Sequence, residues 1–271
     1  MPAVTRRRFF AVALGAAGCA AALPRASCAA PPWTDQRQIG PFVAKSTFSL
    51  APYQDLLNEL PMLELELRRV LALRACQSPI QIELTGSKLE HNALLKERFP
   101  EAPSRRALYV KQDNTATVFA YKSSELAVDL RHECTHALLH ADLAMLPLWL
   151  DEGLAEYFEL PQAERAFGSP HAKALAWDLR LGTLQSIEEL EAKTELKDFG
   201  LSDYRAAWAW AHFMLHGPKE AARQLWDYLG TIRRGEPPGV LSERMRGALP
   251  NADQMLAVHF RQWARLASRG A

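Results

Sequence analysis

The stretch Arg131-His132-Glu133-Cys134-Thr135-His136-Ala137-Leu138-Leu139-His140, RHECTHALLH, sets three histidines and a glutamate between positions 132 and 140. On a helix, His132 and His136 share one face about 6 Å apart along the axis, so both imidazoles can turn to a single point. Glu133 lies about 100° around the helix from His132 and flanks that point without joining the pair. This is the HExxH arrangement: two metal-binding imidazoles with a carboxylate placed to act as base on a water. The reading requires a helix, and the flanking sequence supports one. Ser123-Ser124-Glu125 offers an N-cap and an acid for the first turn of a helix over about 125–141.

Upstream of this helix the pattern changes period. Leu56, Leu57, Leu60, Leu63, Leu67, Val70 and Leu71 recur at helical spacing between Tyr53 and Cys76, with Pro61 as a start or kink. PIQIELTG (79–86) alternates as a strand, and Leu89 to Phe99 reads as a helix that stops at Pro100. RALYVKQ (106–112) and ATVFAYK (116–122) read as two strands joined by the turn signal Asp113-Asn114. Residues 30–52 are Pro-rich and read as an irregular surface arm. Downstream, Pro147 precedes a short helix, LWLDEGLAEYFEL, that ends at Pro161. Everything after it reads as helix, most clearly Ser186 to Lys193, Asp203 to His216, Lys219 to Arg233 and Ala252 to Ala267. Strands first and helices last predict an α+β fold: a small mixed sheet, the HExxH helix, then a helical C-terminal lobe.

A hydrolytic metal site needs a third protein ligand and an open position. Glu152, with fifteen residues between it and His136, supplies the ligand if the next helix returns antiparallel. Two imidazoles and a carboxylate suit zinc, one ion per chain. Glu156 and Glu159 share a face with Glu152. They read as a solvated acidic stripe, with Glu156 also a candidate acceptor beside the metal or an alternative ligand. Asp129, one turn before His132, is a comparable acceptor. His140 lies about 12 Å along the axis from His132, too far to share its ion, and reads as a helix C-terminal residue. His212 and His216 repeat the four-residue spacing without an intervening glutamate. Cys134 faces away from the pair and reads as a small core residue.

The motif His132-Glu133-x-x-His136 followed by Trp149-Leu150-Asp151-Glu152-Gly153 resembles the gluzincin metallopeptidases. LPLWLDEGLAEYFE and DYRAAWAWAHFMLH are similar to segments of the bacterial peptidase MA-like family. The resemblance covers roughly Ile80 to the C-terminus and is strongest from Arg131 to Glu159. It implies a zincin-like fold, a single catalytic domain over 30–271 with lobes at about 53–142 and 147–271, and zinc-dependent hydrolysis of a peptide or protein substrate. It also implies an oxyanion-stabilising donor from the helical lobe, Tyr204 first and His212 second. The strand from Ala116 to Tyr121 is the expected partner for extended substrate by strand addition. The alternative is an inactive zincin-fold protein that binds or scaffolds in the cell envelope.

The remaining features bound the setting. The chain has 271 residues, of which 48% are hydrophobic and 23% charged, enough to bury a core. A net charge of +1 with no basic cluster gives no reason to expect nucleic acid. Residues 1–29 read as a secretory signal peptide, and Thr5-Arg6-Arg7-Arg8-Phe9-Phe10 resembles the twin-arginine export motif, with an ordinary Sec signal as the alternative. The expectation is therefore export to the periplasm, envelope or exterior, without a later membrane span. Cys19 is a weaker site for lipid attachment. Cleavage after Ala29 removes four arginines and no acid, which brings the net charge to −3. It leaves Cys76 and Cys134, from which no structural disulfide is expected.

Overall fold

The computed structural model describes residues 33–101, 104–112 and 114–270. The expected signal peptide, the twin-arginine motif and Cys19 lie outside the described residues. The fold is α+β. A five-stranded mixed sheet is built from β1 (Asp35–Ile39), β2 (Phe42–Ser46), β3 (Ile80–Thr85), β4 (Ala107–Gln112) and β5 (Thr115–Tyr121), in the order β1-β2-β3-β5-β4. The β1–β2 and β4–β5 pairs are antiparallel, while β2–β3 and β3–β5 are parallel.

Two sequence expectations are corrected by this sheet. Residues 30–52 are not an irregular arm, because β1 and β2 form a hairpin that extends the sheet. Its two-residue turn needs a left-handed residue, and Gly40 supplies it with φ 57. Phe42, Ala44 and Ser46 are buried on one face of β2, whereas β1 (DQRQI) is largely exposed and shows no apolar alternation. The strand expected to receive substrate is not an edge. β5 lies between β3 and β4, so both of its sides are paired, and β4 is the sheet edge on that side, with β1 at the other.

Two helices serve as the long connections that parallel neighbours require. α1 (Gln54–Leu71) links β2 to β3, and it buries Leu57, Leu60, Leu63, Leu67 and Leu71 as one stripe. Pro61 sits inside α1 without ending it, and Ala72, at φ 55, closes the helix. α2 (Lys88–Arg98) covers the opposite sheet face through Leu94, Leu95 and Phe119. Its N-cap Ser87 accepts a hydrogen bond from the Glu90 backbone N–H at 3.2 Å.

β5 leads directly into α3 (Leu126–Asp142), the motif helix, which packs on β4, β5 and α1. The expected capping differs in detail. Glu125 occupies the N-cap position without a side-chain bond, and Ser123 Oγ accepts from the Glu125 N–H just outside the helix. α4 (Leu148–Phe158) follows at Pro147 and returns against α3. Helices α5 (Ala172–Leu181), α6 (Ile187–Glu191), α7 (Leu201–His216), α8 (Lys219–Arg233), α9 (Leu241–Ala248) and α10 (Ala252–Gly270) complete the described chain.

One apolar core runs from the sheet through α3 and α4 into these helices. The α4–α7 crossing is close. A Cβ on Gly153 would stand 2.4 Å from the Ala207 carbonyl oxygen, so only glycine fits at that position. The alanines of α7 at 206, 207, 209 and 211 are all fully buried, which permits the approach. No helix among the described residues is long and apolar enough to cross a membrane.

Candidate metal centre

α3 and α4 bring His132, His136 and Glu152 together. The two histidine Nε2 atoms are 3.2 Å apart, and Glu152 Oε2 lies 3.6 Å from the first and 3.8 Å from the second. A zinc ion with tetrahedral ligands at 2.0–2.1 Å spaces its ligand atoms about 3.3 Å apart. The observed triangle is slightly wider than that and fits it. Glu152 and His136 are buried, and His132 is partly so.

The outward nitrogen of each imidazole is held by a carboxylate. His132 Nδ1 is 2.9 Å from Glu159 Oε2, and His136 Nδ1 is 2.9 Å from Asp151 Oδ1. A carboxylate only accepts, so both Nδ1 atoms carry the hydrogen. In the neutral rings both Nε2 atoms therefore present lone pairs. Two lone pairs and a carboxylate oxygen then converge with no donor among them, an arrangement that could hold a cation. The surrounding acids favour positive charge at the cluster. Burial opposes charge on His132, but Glu152 and Glu159 hold it well above the usual imidazole range. Burial likewise opposes charge on His136, but Asp151 and then Glu152 push it up to about 9. Burial works against Asp151 too, but His136 and His140 hold its carboxyl well below the usual range.

Glu133 stands beside this group. Burial pushes its carboxyl above the ordinary value against the pull of His132 and His136. The Tyr109 backbone on the edge strand β4 adds a smaller pull in the same direction as the two histidines. Tyr204, in the first turns of α7, packs edge-on against Phe199 and feels the charges of the same carboxylates. Burial raises its hydroxyl well above the usual phenol range, and the charges of Glu152, Glu156 and Glu133 add to the effect.

Several expected roles are reassigned. His212 is not free to act on a substrate. Its Nε2–H donates to the Ala166 carbonyl at 3.0 Å, its Nδ1 accepts from His259 Nε2 at 2.9 Å, and the ring is buried. His216 is bonded at Nε2 to the Tyr157 hydroxyl, 2.7 Å away. Asp129 does not support a histidine, because its carboxylate accepts from Arg106 Nε at 2.8 Å. Glu156 keeps its place as an alternative ligand: it pairs with His171 Nε2 at 2.8 Å, and a carboxylate oxygen lies within 4.8 Å of ligand atoms of His132 and Glu159, a second group that could hold a metal ion. Cys134 is buried among apolar groups, which push its thiol up, and both it and Cys76 are free thiols.

The sequence reading missed the acceptors that orient the two imidazoles. Asp151 adjoins Glu152, and Glu159 stands just past the end of α4, where Arg131 Nε donates to its carbonyl. Arg131 also pairs with Glu59 of α1 at 2.8 Å, which ties the end of α4 to the α1–α3 packing. Asp151 was visible only as part of the Trp149–Gly153 motif. Nothing local separated Glu159 from a surface acid. No protein-family model matches the chain, and no curated protein matches it significantly, so the functional reading rests on the site itself.

Proposed function

We propose that this protein is an exported zinc-dependent metallopeptidase of the gluzincin type with a zincin-like fold, its metal held by His132, His136 and Glu152. The observation that carries the reading is the convergence of three acceptor atoms at 3.2, 3.6 and 3.8 Å, with both imidazoles fixed from behind by carboxylates. The resemblance of HExxH and the Trp149–Gly153 segment to gluzincins adds the reaction class. Zinc bound by such ligands supplies Lewis acidity and acidifies a water towards a pKa of about 7.

The residues of this chain supply the rest. Glu133 takes a proton from the attacking water and later delivers it to the leaving amine. Its raised carboxyl brings its proton affinity nearer the neutral range. Tyr204 keeps its hydroxyl hydrogen far into alkaline pH and so stays a donor for the developing oxyanion. The edge strand β4, in place of β5, takes an extended peptide by strand addition. The substrate is a peptide or protein segment presented in extended form.

The test is Glu133→Gln in the purified mature protein, read by zinc content and by cleavage of a peptide library. The account expects zinc to stay and cleavage to fall by about 10²–10⁴-fold. Wild-type protein that binds zinc yet cleaves no member of the library leaves the inactive envelope binding protein as the reading.

A further inference from the structure

The sequence gives His140 the role of an ordinary residue at a helix end. The structure places it elsewhere in the logic of the site. Its Nε2 lies 2.8 Å from Asp151 Oδ2, while Asp151 Oδ1 receives His136 Nδ1 at 2.9 Å. One carboxylate therefore bridges two imidazoles, one oxygen to each. The side chains of His140 and Asp151 are only 19% and 14% exposed, so the bridge is largely shielded from water.

The edge strand closes over this bridge. The Tyr109 ring lies nearly parallel to His140, 5.8 Å away at 10°, and to His136, 6.5 Å away at 17°. Two residues further along β4, Lys111 Nζ donates to the His140 carbonyl at 2.7 Å and fastens the last turn of α3. The terminal torsion of an aspartate is soft and roughly two-fold. A single hydrogen bond from His136 leaves that carboxylate plane free to turn, whereas a second donor on the other oxygen fixes it.

We propose that His140 is a positioning residue of the metal centre: it locks the Asp151 carboxylate, which in turn fixes the ring orientation and tautomer of His136. This rests on the metal-centre reading above and extends it one shell outward. It also gives β4 a part in metal affinity, separate from any part in holding substrate.

The experiment measures zinc affinity by competition with a chromophoric chelator, with the thermal midpoint of the metal-free protein recorded alongside. His140→Ala is expected to weaken zinc by about 10-fold or more, the size typical of lost outer-shell partners. His140→Gln, whose amide N–H₂ reaches near the Nε2 position, is expected to recover most of that loss. In an Asp151→Asn background, where the bridging carboxylate is already gone, His140→Ala is expected to add little. The cobalt-substituted visible spectrum should shift in His140→Ala and return in His140→Gln, which a loss of general stability does not predict. Wild-type zinc affinity in His140→Ala overturns the inference, as does an equal loss in the Asp151→Asn background. A wild type that binds no zinc overturns the metal centre itself, which distinguishes the two failures.

Discussion

Two helices of this protein carry histidines four residues apart, and they are put to opposite uses. On α3, His132 and His136 have ring centroids 4.9 Å apart, and each ring has a carboxylate behind it. On α7, His212 and His216 have centroids 4.6 Å apart, yet their partners are His259, the Ala166 carbonyl and the Tyr157 hydroxyl. Aromatic rings enclose the second pair: His212 packs on Trp208, Phe260 and Trp263. The environment reverses the electrostatics. Acids hold the first pair above the ordinary imidazole range, whereas burial pushes His212 down to about 3 and His259 to about 4. Spacing brings two imidazoles together, but the groups behind them decide whether the pair attracts a cation or excludes one.

The largest effect that tests this contrast is on metal. Glu152→Ala removes the anionic corner of the first site and is expected to abolish stoichiometric zinc, measured by elemental analysis after dialysis. Replacing His212 and His216 together by phenylalanine is expected to leave zinc content unchanged. Next is the contact between α4, which carries Glu152, and α7. Gly153→Ala drives a methyl group into the α7 backbone at Ala207 and should destabilise the fold by about 1–3 kcal/mol in urea unfolding. Wild-type stability there means that α7 yields freely and the two sites are less rigidly linked than the crossing implies.

A smaller effect is expected of Tyr204→Phe. If its hydroxyl steadies the oxyanion, the variant loses about 10²-fold in kcat with little change in zinc content or KM. An unchanged kcat returns Tyr204 to a packing role against Phe199. The smallest effect concerns acid. His212 and His259 are neutral in the fold and have depressed pKa values, so below pH 6.5 the unfolded chain binds protons that the folded chain refuses. Their contribution to stability is complete above pH 6.5 and is lost as pH falls towards about 4 and then about 3. Urea midpoints between pH 7.5 and pH 4.5 should therefore fall more steeply in the wild type than in His212→Phe/His259→Leu.

Much of the fold was legible where one face of an element is apolar. α1 shows its buried leucines, β3 its alternation, and α3 and α4 their helical spacing. The β1–β2 hairpin was not, because an exposed five-residue edge strand such as Asp35–Ile39 carries no burial signal. The same holds for the site. His132, Glu133, His136 and Glu152 stand out through helical spacing and motif. Asp151 as a bridge and Glu159 as the partner of His132 depend on how α4 crosses α3, which only the folded chain displays. His212 resembled a donor because its burial among Trp208, Phe260 and Trp263 requires α10 to fold back onto α7.

The most direct measurement is metal content across three proteins purified alike: the wild type, His136→Ala and His216→Ala. The account predicts one zinc per chain in the wild type and in His216→Ala, and none in His136→Ala. A folded wild type without stoichiometric metal, or zinc undiminished in His136→Ala, contradicts it.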